Sequence, residues 1–199
     1  MYRTANQVIL QPQVVLCVFI LVTVLSGGRI MSVYAELPSD LAQGIGILSK
    51  YKSSAEGQAE ILVVLAAENE ITKDEYRKGQ SLYVEAKAVF DGWIDQLIFE
   101  VQSGKTTLLS PQVESMQLEA RVKGEAFTKY AQKLFLGDLR GGVGDGFLNA
   151  FGSLKEAALS ILKGFSKVSP TDQPEVIKRL EGYKWPEFHA IEQRSAIIE

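Results

Sequence analysis

From Ser39 onward, apolar residues recur three and four positions apart, and nothing alternates with period two over the length of a strand. That spacing places them on one side of a 3.6-residue turn, so the chain reads as amphipathic helices that each need a buried edge. The first helix opens at Ser39 or Asp40 and carries Leu41, Ile45, Leu48, Ala55, Ala59, Leu62 and Ala66 on one face. Gly44, Gly46 and Gly57 interrupt it, and a glycine inside a helix costs about 1 kcal/mol relative to alanine.

The second helix has a defined start, because Thr72 and Glu75 form a T-x-x-E capping box. Its face is Gly79, Tyr83, Ala86, Phe90, Trp93 and Leu97. A third begins at Ser110-Pro111, an N-cap followed by proline at the first helical position, with Val113, Met116, Ala120, Phe127, Ala131 and Leu134 as its stripe. The run "RGGVGDG" then breaks the chain, with a hinge at 141–146. A fourth helix repeats Phe147, Phe151, Leu154, Ala158, Ile161 and Phe165 at heptad-like spacing. In the tail, 171–199, Asp172 and Glu175 offer another capping box for a short helix that Trp185-Pro186 ends or kinks.

Four helices with one apolar stripe each are buried most simply side by side. The predicted fold is all-α: an elongated up-down bundle of four main helices plus a short C-terminal helix, occupying 36–199. Helices of this length run roughly 40 Å.

The first 35 residues read differently. Val14 to Leu25 is "VVLCVFILVTVL", without a charge, and Arg3 precedes it; no acidic residue occurs before Glu36. This is the arrangement of an N-terminal hydrophobic targeting helix. Val33 and Ala35 sit where a signal peptidase favours small residues, whereas Arg29 and the distance from Leu25 to Ala35 argue against clean cleavage. A cleaved signal peptide is the expectation and an uncleaved anchor the alternative. A buried segment of the soluble fold is the third reading. Localisation is expected to be exported or membrane-anchored, in the cell envelope or outside it.

Composition removes most familiar chemistry. Beyond the leader, 19 Lys and Arg stand against 24 Asp and Glu, a mildly acidic balance that gives no electrostatic reason to bind nucleic acid. Cys17 is the only cysteine and His189 the only histidine, so neither an intramolecular disulfide nor a cysteine or paired-histidine metal site can be built. No cofactor is expected.

The stretch "EVQSGKTTLLSP", Glu100 to Pro111, resembles the end of a phosphate loop. That loop needs a glycine where Phe99 stands and a strand before it, whereas Tyr83 to Val101 has the helical period. The reading is a helical corner: Gly104 ends one helix, Lys105 sits near its negative end and Ser110 caps the next. No nucleotide is expected.

Asp91 and Asp95 share a helix face and would suit an acid–base pair or a cation, but carboxylates four apart usually decorate a solvated face. His189 and Glu192 make an H-x-x-E pair that lacks further ligands. The helix from Phe147 to Phe165 has few charges and follows a glycine hinge, so it could swing into a bilayer, although it lacks the basic polar face of an interfacial binder. Tyr183, Trp185 and Phe188 either pack on the bundle end or form a docking patch.

The functional expectation is a non-enzymatic exported or membrane-tethered protein that contacts another protein in the cell envelope. Phe147, Phe151, Tyr183, Trp185 and Phe188 are the candidate interaction residues, and the N-terminal segment is a possible membrane contact. The alternatives are a membrane-active protein that inserts 147–165 and an enzyme built on Asp91 and Asp95.

Overall fold

A computed structural model of the chain describes residues 37–105, 108–136 and 153–196. Among the described residues six helices form and no strand: α1 (Ser39–Ala67), α2 (Lys73–Gln102), α3 (Pro111–Leu136), α4 (Leu154–Phe165), α5 (Gln173–Glu181) and α6 (Phe188–Ala196). The all-helical bundle expected from the periodicity is what these residues build. The segment 1–35 expected to be a targeting helix, with Cys17, the hinge expected at 141–146, and Phe147 and Phe151 lie outside the described residues.

Local chemistry sets most of the helix ends. Thr72 Oγ1 accepts from the Glu75 N–H at 3.2 Å while Glu75 Oε2 accepts from the Thr72 N–H at 2.8 Å, completing the expected box. Ser110 Oγ likewise accepts from the Val113 N–H at 3.2 Å and starts α3. Both α1 and α2 stop through a left-handed residue, Asn69 at φ 59° and Gly104 at φ 79°. The Glu70 N–H then reaches back to the Leu65 carbonyl at 2.9 Å, and the Lys105 N–H to that of Glu100 at 3.3 Å.

The tail departs from expectation in two places. Asp172 makes no side-chain cap and already has helical dihedrals, because its carboxylate accepts from the Ser169 hydroxyl at 2.7 Å instead. The short C-terminal helix is also two helices. α5 closes at Glu181, Trp185 is held out of helical geometry by the proline after it, and the chain resumes as α6 two residues beyond Pro186.

Neighbouring long helices run antiparallel. Gly79 faces Leu62 near the α1–α2 turn, and further along Phe90 stacks on Tyr51 with ring centroids 5.7 Å apart. Between α2 and α3, Glu85 pairs with Lys123 at 2.8 Å, and Lys78 lies over the Tyr130 ring at 5.1 Å. The buried faces are those of the sequence stripes: Leu41, Ile45, Leu48 and Leu62 on α1, and all six expected positions on α2. Burying each large apolar side chain contributes about 1.5–3 kcal/mol, which makes this stripe the main support of the fold.

α4 runs along the first half of α1 at a separation set by glycine. A Cβ on Gly44 would lie 2.6 Å from Ile161 Cγ1 and 2.7 Å from the Ala157 carbonyl oxygen. A Cβ on Gly164 would meet the Leu41 backbone. These two glycines are therefore contact surfaces, whereas the sequence pattern shows Gly44 only as a weakening of its helix. The others on α1, Gly46 and Gly57, touch nothing within 4 Å of such an atom.

Two opposite outcomes follow for the same substitution. Gly164→Ala should lower stability by at least about 1–3 kcal/mol through forced separation of α1 and α4. Gly46→Ala should raise it by about 0.5–1 kcal/mol through helix propensity. Urea unfolding followed by far-UV circular dichroism distinguishes the two.

Candidate functional site

The densest polar and aromatic constellation among the described residues lies where the tail crosses the groove between α1 and α2. One stripe of α2 faces it: Tyr76, Tyr83, Lys87, Phe90 with Asp91, and Asp95, spaced so that successive members stack along one side of the helix. Lys52 and Glu56 supply the α1 wall.

Residues 182–187 are read by side chains at nearly every step. Lys52 Nζ donates to the Gly182 carbonyl at 2.8 Å, and Lys184 pairs with Asp95 at 2.5 Å. The Trp185 N–H donates to Asp91 Oδ1 at 3.0 Å, and the Tyr83 hydroxyl donates to the Pro186 carbonyl at 2.9 Å. Glu187 reaches Lys87 at 2.8 Å, while Lys87 also holds Asp91 Oδ2 at 2.6 Å. Beyond the proline, the Tyr76 hydroxyl donates to Glu192 and Arg194 approaches Glu56.

Trp185 and Phe188 are the apolar anchors, each 3% exposed. Trp185 stacks on Phe90 at 5.2 Å and leans on Tyr83 at 5.4 Å. Phe188 makes T-shaped contacts with Tyr83 at 5.3 Å and with Tyr76 at 5.9 Å. Tyr183 is half-buried. As they stand, Trp185 and Phe188 serve intramolecular packing and present no surface to a partner.

Proton affinities follow from these contacts. Burial pulls Lys87 down, but hydrogen bonds and charge from Asp91 and Glu187 outweigh it and hold the ammonium above its ordinary value. Glu187 is held below the usual carboxylate range by Lys87. Tyr76 and Tyr83 are pushed well above the ordinary phenol value, chiefly by burial, with Glu192 adding to the shift at Tyr76. Both phenols stay protonated donors at any physiological pH.

Asp91 and Asp95 are thus both tied to the tail, Asp91 half-buried and Asp95 exposed. Asp91 replaces the helical acceptor that Trp185 loses by preceding a proline. His189 is exposed, and Glu192 is engaged by Tyr76. Among the described residues no group of three or more His, Cys, Asp or Glu is placed to hold a metal ion.

The "GKTT" corner is a second polar cluster. Glu100 is 1% exposed, and its carboxylate accepts from Lys105 Nζ at 3.0 Å and from the Ser110 N–H at 3.3 Å, tying the end of α2 to the start of α3. Burial pushes this carboxyl up, yet the Ser110 and Lys105 hydrogen bonds leave it net below the ordinary value. Lys105 therefore sits near the negative end of α2 as expected, and pairs there with the Glu100 carboxylate. Thr106 and Thr107 lie outside the described residues.

Within α4, Leu154, Ala157, Ala158, Ile161, Leu162 and Phe165 are all buried in the bundle, so this segment has no free apolar face. No described helix is long and apolar enough to cross a membrane. Exposed apolar residues sit elsewhere. Leu118 and Val122, one turn apart on α3, are 57% and 63% exposed, and Phe99 and Leu108 lie exposed at the α2–α3 corner.

Comparisons with protein-family models, with curated proteins and with solved structures give no match.

Asp91→Ala strands the buried Trp185 amide and should cost about 1–3 kcal/mol, read from the urea midpoint and a red shift of tryptophan emission. Asp95→Ala, at a carboxylate 60% exposed, should stay within about 0.5 kcal/mol of wild type. The Glu100 contribution is present at neutral pH. It fades as pH falls below about 4.3, where the unfolded chain takes up the proton first, and is gone once the folded carboxyl is protonated. Glu100→Gln should flatten that limb of a stability–pH curve.

Proposed function

We propose that this protein is exported or membrane-tethered and acts without catalysis, by contacting another protein in the cell envelope. The observation that carries the reading is the uncharged run Val14 to Leu25, with Arg3 before it and no acidic residue before Glu36, ahead of a helical bundle. The bundle's side chains support it. The conspicuous carboxylates Asp91, Asp95 and Glu100 bind other parts of the chain itself. Leu118 and Val122 keep apolar surface directed outward from α3, away from its buried stripe.

The partner is a protein with a complementary apolar surface, and the N-terminal segment is the only membrane contact in this reading. Nucleic acid and nucleotide have no part in it.

Fractionating host cells that express the full chain tests the location. The protein should follow the envelope or extracellular fraction, with an N-terminus at Glu36 if the leader is cleaved or at Met1 if it is retained. Recovery of uncleaved chain in the soluble cytoplasmic fraction overturns the proposal. A photo-crosslinking residue at 118 should yield a discrete protein adduct that Val122→Asp abolishes without changing the melting temperature.

A further inference from the structure

We infer that the α1–α2 groove is a peptide-docking site whose occupant in this structure, residues 182–196, is exchangeable, and that its exchange partner is the same segment of a second copy of this chain. Four observations converge on this.

The segment's order depends on the groove. α6 has nine residues, as does α5 before it, too few for a helix to persist in water without packing. Removed from the groove, the segment has no core of its own.

The mode of holding is that of peptide recognition. Side chains of the groove address backbone groups of the strap at Gly182, Trp185 and Pro186, while two aromatic anchors three residues apart fill the space between. Main-chain hydrogen bonds with spaced side-chain pockets are how folded domains take extended segments from other chains.

The tail also differs in kind from α4. α4 is locked to α1 at Gly44 and Gly164 by backbone contact that tolerates no added atom. α5 and α6 lean on α2 and α1 through side chains, after a connection that contains Ser169 and Pro170. An opening at that connection therefore releases everything after it and leaves α1 to α4 packed.

Seating also leaves a defect, since the buried indole Nε1 of Trp185 has no hydrogen-bond partner among the described residues. That lowers the barrier to leaving without favouring one chain over another. A second copy fits best because groove and strap are encoded together, so every contact made within one chain is available between two. A foreign peptide would have to reproduce the alternation of Lys184, Trp185 and Glu187 against Asp95, Phe90 and Lys87.

The test uses the full chain and a labelled peptide of residues 182–196. Trp185→Ala weakens the attached strap, so this variant should bind the peptide at least about tenfold tighter than wild type, whose own strap competes at high effective concentration. Adding Asp91→Ala should abolish the binding. Mixed with wild-type chain, Trp185→Ala should form a dimer by light scattering that excess peptide dissolves. Hydrogen exchange on unaltered protein gives a readout independent of the variant's folding: amides of 183–195 should exchange well ahead of those of Leu48 to Leu62. Equal protection of the two segments overturns the proposal. So does a folded Trp185→Ala chain that ignores the peptide, or one that binds peptide but never dimerises.

Discussion

Tyr83 is the residue on which the packing of this bundle converges. Its ring makes T-shaped contacts with Phe127 on α3 and with Phe188 on α6, each at 5.3 Å, and a tilted one with Trp185, so one side chain of α2 touches three other parts of the chain. The ring is fully buried and its hydroxyl still finds the Pro186 carbonyl, which satisfies the polar end of an otherwise apolar group. α1, α3 and the tail all pack against that stripe. α3 packs on one side of α2 and the tail on another, while Phe90, two turns along, carries the stack on to Tyr51 of α1.

The second organising constraint is distance. Gly44 and Gly164 bring α1 and α4 close enough for the side chains of one helix to rest on the backbone of the other. Such an approach gains dispersion contacts that bulkier residues would forfeit. It also fixes register, because a slide by one turn would carry a side chain into the notch. Asp40 adds an electrostatic stop at the same end, where Lys163 and Lys167 both reach it and hold its carboxyl below the ordinary range.

The helices were legible in the sequence because a stripe such as Gly79, Tyr83, Ala86, Phe90, Trp93 and Leu97 is a local signal, and so are the caps at Thr72 and Ser110. Pairing was not legible. Asp91 acts on an amide 94 positions away, and nothing in the residues around it announces that partner. Gly44 looked like a weakness because propensity is a property of one helix, while close approach belongs to two. α6 was not legible either, since nine residues after a proline offer too short a period. Of the candidate site, Trp185, Phe188, Asp91 and Asp95 were each singled out separately, but only the fold shows that they belong to one constellation.

Chain order adds a temporal side to this architecture. The hydroxyl of Tyr83 and the carbonyl of Pro186 are 103 residues apart, so during translation α1 and α2 exist well before the stretch that roofs them. At roughly 5–20 residues per second that wait is on the order of 5–20 s, far longer than two helices need to find each other. Throughout it the nascent hairpin carries a row of bare rings that only later-made parts of the same chain can cover.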